Sequence, residues 1–186
     1  SERVCGDPER TSRGLVEPTI AELADGRLLM VMRGSNDARH ELPGYKWMVL
    51  SADGGQTWGA VEPWTYADGE AFFSPSACSQ LIPWADGRLL WAGNISAENP
   101  LGNRPRYPLV VGEVDRASGL LIRESVQAVD DRQADDDEML TLSNFYARDD
   151  RETGELLLHY PRFFARGYDG QERWTTDLSL TRVAIS

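Results

Sequence analysis

The segment Ala24-Asp25-Gly26-Arg27-Leu28-Leu29 returns as Ala85-Asp86-Gly87-Arg88-Leu89-Leu90, and more loosely as Glu152-Thr153-Gly154-Glu155-Leu156-Leu157. A unit that recurs at about 60 residues or slightly more marks a repeat architecture, and this restricts the fold more than any single motif does. In the first two copies an Asp-Gly step stands between apolar runs. Glycine there supplies the positive φ of a tight turn, so the unit reads as an antiparallel hairpin. In the first copy the hairpin places Glu17 before one strand and Arg33 at the exit of the next. Adjacent antiparallel strands then carry a carboxylate and a guanidinium to one sheet end.

Each copy has an apolar run before the turn, at residues 19–23, 77–82 and 140–146, and a nearly continuous one after it. A run that is apolar at successive positions predicts a strand covered on both faces. Two further strands complete each copy: residues 45–50 and a short segment near Val61, then 109–114 and 120–126, then a stretch near Phe163 and 178–185. No stretch sustains a helical apolar period behind a capping residue. The chain is therefore predicted to be all-β, with about three four-stranded antiparallel meanders at roughly 14–66, 71–128 and 139–186. Such meanders, repeated at this length, are the blades of a β-propeller. A closed ring takes at least about four blades, so the missing blades are expected from the rest of a longer chain.

The 186 residues, 41% hydrophobic and 26% charged, describe an ordinary globule. A formal charge of −11 argues against nucleic acid or an anionic membrane as partner, so an anionic substrate needs a local basic pocket. No window approaches the roughly 18 apolar residues of a membrane helix, and no signal-peptide core opens the chain. Cys5 and Cys78 are too few for a disulfide framework and are expected to be free.

The first unit ends in Ser51-Ala52-Asp53-Gly54-Gly55-Gln56-Thr57-Trp58. Here Asp53 is suited to accept backbone N–H groups across a turn, Gly55 to take a positive φ, and Trp58 to pack between strands. The segment resembles the Asp box (BNR repeat), Ser-x-Asp-x-Gly-x-Thr-Trp, of the sialidase (neuraminidase) superfamily, with all five fixed positions matched. The box is a structural signature and also occurs in propellers that are not sialidases. Bacterial sialidases are similar in having a Glu shortly before Ala-Glu-Leu-x-Asp-Gly-x-Leu and an Arg closing the next strand. Glu17 and Arg33 hold those positions.

The resemblance implies a six-bladed propeller, of which this chain covers about the C-terminal half, and a retaining exo-α-sialidase that needs no metal or cofactor. By the same resemblance Glu17 activates a nucleophilic tyrosine, and Arg33 and Arg106 grip the carboxylate of a sialoglycan or another acidic carbohydrate. Tyr146 answers to the nucleophile. Glu22, Arg104 and Tyr160 are the rivals for these roles. A tyrosine has a chemical reason here: a neutral nucleophile avoids the repulsion that a carboxylate would meet at an anomeric carbon bearing an acid group. A secreted or periplasmic location is favoured by the resemblance alone. The sequence departs from the family in holding no Arg-(Ile/Leu/Val)-Pro motif and no early general-acid Asp, so turnover by this half-site alone is not expected.

Two other readings stand beside this one: a lyase or exo-glycosidase acting on other acidic sugars, and a non-catalytic glycan- or protein-binding propeller. Residues 135–138, Asp-Asp-Asp-Glu, lack the spacing of a calcium loop and read as a solvated connection. His40 and His159 stand alone. Trp64, Phe72, Phe73, Trp84 and Trp91 read as blade packing before they read as a sugar platform.

Overall fold

The repeated turn explains its own sequence. In the computed structural model, which describes residues 2–167 and 176–185, Asp25 accepts from the backbone N–H (3.1 Å) and Nε (2.7 Å) of Arg27. Asp86 does the same for Arg88 at 3.0 and 2.8 Å. Gly26 and Gly87 take φ of +85° and +91°. The backbone loops close from Leu23 N to Arg27 O and from Trp84 N to Arg88 O. The third copy closes one residue wider, from Asp150 N to Glu155 O, which is why its sequence matches loosely.

These turns join strands into three antiparallel sheets. The first contains β1 (Val16–Glu22), β2 (Leu28–Arg33), β3 (Lys46–Ser51) and β4 (Glu62–Pro63). The second contains β5 (Gln80–Pro83), β6 (Leu89–Asn94), β7 (Leu109–Val114) and β8 (Gln127–Asp130). The third, among the described residues, contains β9 (Tyr146–Asp149), β10 (Leu156–Phe163) and β11 (Thr176–Val183). Each sheet is a meander whose strands pair in sequence order, and the sheets follow one another as blades of a propeller-type fold with an open ring.

The first strand of each sheet faces its counterpart in the next. Leu81 N donates to Thr19 Oγ1 (2.8 Å), joining β5 to β1. The Gln80 side chain exchanges two hydrogen bonds with the backbone of Ala147, at 2.8 and 2.9 Å, joining β5 to β9. All three strands run the same way, so their starting ends gather at one face of the molecule.

Residues on β6 alternate between two cores. Leu89 and Trp91 pack with Leu29, Val31, Trp64 and Phe72 toward the first sheet. Leu90 and Ala92 pack with Leu142, Ala147, Leu156 and Leu158 toward the third. The continuous apolar run is thus a strand buried on both faces. Trp91 lies edge-on to Trp64 at 5.1 Å between centroids. A Cβ on Gly93 would lie 2.2 Å from the Trp91 ring, so glycine there makes room for the indole. The outward faces of the first and third sheets are open, with Ile20 48%, Leu178 76% and Leu180 50% exposed.

Several expected boundaries shift. Residues 120–126 do not form a strand: Leu121 is buried in the core, while Arg123–Ser125 make a 3-10 turn braced by Ser125 Oγ, which donates to Ile122 O. The strand follows at Gln127. Leu140 and Leu142 are buried from an irregular segment, and β9 begins only at Tyr146. Phe163 ends β10 instead of starting a separate strand, because β10 runs on to pair with β11 as far as Thr176.

At the Ser51 to Trp58 turn, Asp53 accepts from Gln56 N, Thr57 N (both 2.9 Å) and Thr57 Oγ1 (2.6 Å). These bonds, Thr57's first, hold its carboxyl down to about 2. Trp58 differs from expectation. It is half-buried over Gly55 and lines a surface groove with Arg10 and Trp47, not a slot between strands.

Among the described residues one charged side chain lies wholly in the interior. Lys46, at the start of β3, is 0% exposed, and its Nζ donates to the Ala77 carbonyl. Burial, ahead of every charge effect, pulls its pKa from 10.5 to about 7.

Two outcomes follow from this packing. Trp91→Ala removes the indole between two sheets and is expected to cost about 3–5 kcal/mol, read as a lowered urea midpoint. For Lys46, the unfolded chain holds its proton up to about pH 10.5 and the folded chain only to about 7. Unfolding therefore takes up a proton in that window. Stability relative to a Lys46→Met variant should rise between pH 7 and 10 by about 1 kcal/mol per pH unit, measured by urea titration; a flat difference would contradict the burial.

Candidate functional site

The ends of β1, β2 and β3 and the segments leading into β5, β7 and β9 meet where the inner strands begin. Glu17 reaches this point through a distortion. Val16 pairs with Arg33 but Thr19 pairs with Val31, so Glu17 and Pro18 together face one residue of β2 and form a bulge. Glu17 takes φ +52°, a conformation that costs a non-glycine residue on the order of 1–3 kcal/mol. Bulges re-aim side chains, and this one sets Glu17 Oε2 at 3.2 Å from Arg33 Nε. The ion pair is close but not aligned as a hydrogen bond.

Arg33 is held from its other end. Its Nη1 donates to the Ser76 carbonyl at 2.9 Å. Arg106 Nη2 donates to the same oxygen at 2.7 Å, although 73 positions separate the two arginines in sequence. Arg106 is placed by Asn94, buried at the end of β6, whose Nδ2 lies within hydrogen-bond distance of the carbonyls of Arg106 (3.2 Å), Pro108 (3.0 Å) and Leu142 (2.9 Å). Leu142 N in turn donates to Arg106 O at 2.9 Å.

The cluster is rich in cations. Lys46 sits opposite Arg33 in the β2–β3 register and donates to Ala77 O, the carbonyl next to the one that takes both arginines. Desolvation first, and then the Arg33 charge, lowers the pKa of the Arg106 guanidinium. Arg106 Nε is buried and has no hydrogen-bond partner among the described residues. Two guanidiniums, an ammonium and one carboxylate thus surround a short stretch of backbone, with donor capacity left over for an anion.

Of the four residues singled out from sequence, the structure brings Glu17, Arg33 and Arg106 together. Tyr146 opens β9 at the same end of the inner strands, 61% exposed and paired across the sheet with His159. It is not packed into the hydrophobic interior. Its side chain makes no hydrogen bond among the described residues. The preceding segment is tied toward the cluster by Ser143, whose Oγ lies 3.7 Å from Cys78 Sγ.

The rivals have other occupations. Glu22 is exposed at the hairpin turn. Arg104 Nη1 points at the sulfur of Met139. Tyr160 is buried, and its hydroxyl is 2.9 Å from Thr181 Oγ1. Within residues 135–138 the expected solvated loop is only partly that. Asp136 accepts from Arg162 at 2.5 Å with its side chain 11% exposed, and Asp130 takes the other arm of the same guanidinium. Trp64, Phe72 and Trp91 are core. Cys5 and Cys78 are both free thiols.

Sequence reasoning missed Lys46 and the Ser76–Ala77 carbonyls. A signal for the first exists in Tyr45-Lys46-Trp47-Met48-Val49-Leu50, where a lysine interrupts an otherwise apolar strand. Backbone acceptors leave no such trace.

No protein-family profile and no curated protein sequence matches this chain. Solved structures do match in fold. The intramolecular trans-sialidase from Ruminococcus gnavus aligns with a TM-score of 0.58 at 20% identity, over 91% of this chain and 32% of that one. An endo-1,5-α-L-arabinanase from Thermotoga petrophila aligns with 0.58 at 14% identity, over 95% and 40%. The NanB sialidase of Streptococcus pneumoniae, as its K499G mutant, aligns with 0.53 at 16%, over 89% and 22%. The chain therefore spans roughly a quarter to two fifths of the length of these proteins. Its three sheets share the fold of sialidases and of other propeller glycosidases.

Proposed function

We propose that this chain carries half of the active site of a sialidase-like glycoside hydrolase, with Arg33 and Arg106 binding the carboxylate of an acidic sugar and Glu17 and Tyr146 serving the nucleophilic step. The observation that carries the reading is the convergence of Arg33 and Arg106 on the Ser76 carbonyl, at 2.9 and 2.7 Å, with Glu17 at 3.2 Å from Arg33. Guanidinium groups recognise carboxylates through paired donors, and two held side by side in a half-buried setting select for an acid group.

In the proposed reaction the acid group of the sugar replaces part of what the arginines now share. The Glu17 carboxylate takes the proton of the Tyr146 hydroxyl as the phenolic oxygen attacks the anomeric carbon. The glycosidic bond breaks, the aglycone leaving as an alcohol protonated by a general acid that lies outside this half-site. A covalent glycosyl–tyrosine forms that water later hydrolyses, the tyrosine regaining its proton from Glu17. The strained backbone at Glu17 supports this role, since strain of that kind collects where a side chain must be aimed. The likeness in fold to sialidases and to propeller glycosidases supports a sugar substrate. A groove of about 830 Å³ lined by Leu101, Arg104, Tyr107, Glu138 and Met139 flanks Arg106 and offers room for further sugar units.

Two outcomes test the reading. Arg106→Ala is expected to weaken binding of a free sialic acid by roughly 10- to 100-fold in calorimetry, the loss of a charge-assisted pair, while leaving a neutral hexose unaffected. In the longest natural form of the protein, Tyr146→Phe and Glu17→Gln should each abolish hydrolysis of a fluorogenic sialoside yet hold sialic acid within a few-fold of wild type. Hydrolysis of a fluorogenic uronide alone would replace the sialidase reading with that of another acidic-sugar enzyme.

A further inference from the structure

A lysine with no exposed surface and, among the described residues, a single carbonyl as its hydrogen-bond partner calls for an account, because a buried ammonium is costly unless it is well paired. Among the described residues no carboxylate lies within ion-pair distance of Lys46. Its neighbours make the placement less comfortable still. Arg33 and Arg106 oppose its charge, with Cys78 and Glu17 acting the other way.

What Lys46 does hold is the peptide unit next to the one on which the arginines rest. Ser76 O accepts from Arg33 and Arg106, and Ala77 O, the next carbonyl along, accepts from Lys46. These two carbonyls precede β5 in a segment outside any strand, with no sheet ladder to orient them. Arg33 sits on β2, Lys46 on β3 and Arg106 before β7, so three elements clamp one short backbone stretch from two directions. Releasing Ala77 O would free the Ala77–Cys78 peptide to turn about the Ala77 Cα. The adjoining Ser76 carbonyl, otherwise steadied by Ala77 N donating to Pro75 O at 2.7 Å, would shift with it and carry both guanidiniums.

We propose that Lys46 is a positioning residue for the acid-binding site: by fixing the Ala77 carbonyl it sets the Ser76 carbonyl, and through it the spacing and direction of Arg33 and Arg106. The role rests on the functional reading above as regards the ligand, but the link from Lys46 to the arginines does not depend on it. The depressed pKa fits the same picture, since a group that titrates near neutrality loosens its grip when its proton leaves.

The test has two arms. In Lys46→Met, which keeps the length of the side chain and removes the donor, the affinity for free sialic acid should fall about tenfold in calorimetry. The Nε–H signals of Arg33 and Arg106 in a 15N-edited spectrum should exchange faster with solvent, while those of Arg27 and Arg123 stay unchanged. A purely structural role would lower the unfolding midpoint and leave those two signals alone. Should the variant not fold, the wild-type protein decides. Titration from pH 6 to 9 should move the Lys46 Cε resonance and the Arg33 and Arg106 Nε–H resonances with one shared midpoint. Independent midpoints, or arginine signals indifferent to Lys46, overturn the proposal. A wild type that binds no acidic sugar defeats the functional reading, and the arginine signals then still judge Lys46.

Discussion

The constraint on which the rest depends is that the middle sheet has no free face. Leu89 and Trp91 look one way from β6 and Leu90 and Ala92 the other, each pair into a separate core. A sheet apolar on both sides is stable only between two others, so the order of the three sheets follows from the side chains of one strand. That order in turn places β1, β5 and β9 side by side and running alike, tied by Thr19 and Gln80. The starting ends of the inner strands gather as a consequence of packing, before any chemistry is considered.

Chemistry is then laid over that meeting point by backbone irregularity. A regular continuation of the Thr19–Val31 register would pair Glu17 with Arg33 directly, but the bulge puts Val16 there instead. The bulge at Glu17 and Pro18 and the positive φ of Glu17 set its carboxylate beside the guanidinium from that displaced position. On the far side, Ser76 and Ala77 stand outside any strand, so their carbonyls are free to accept from cations that no ladder partner could satisfy. Regular strands build the floor of this site, and departures from regularity aim its groups.

The architecture was legible in the sequence because it depends on patterns that repeat: Asp-Gly turns, successive apolar positions, and the acid-bearing turn after Ser51. The boundaries that slipped were those where burial and strand pairing separate. Leu140 and Leu142 are as apolar and as buried as strand residues, yet they come from an irregular segment. Sequence registers burial and does not register which backbone neighbour closes the hydrogen bonds. The same limit explains the site. Glu17, Arg33 and Arg106 announce themselves as side chains, whereas the carbonyl of Ser76, which brings two of them together, has no letter of its own. Lys46 was visible as an interruption of an apolar strand, and its meaning emerges only when Ala77 is seen beside it.

A chain of net charge −11 presents an unwelcoming field to any anion approaching from a distance. At physiological salt that field fades within roughly 8 Å of the surface, so long-range attraction cannot be what would select the acidic ligand proposed above. Under that proposal selection falls to contacts made after water has been excluded. Arg33, Arg106 and Lys46 are sheltered while the acids of residues 135–138 and of the hairpin turns lie elsewhere, in exposed loops or paired with arginines of their own. Segregation of this kind lets one molecule be acidic as a whole and cationic at a point, because buried charges interact strongly at short range and exposed ones are screened. The excess of positive charge over the single carboxylate of Glu17 is therefore a property of the fold's interior, set by which side chains the inner strand ends enclose.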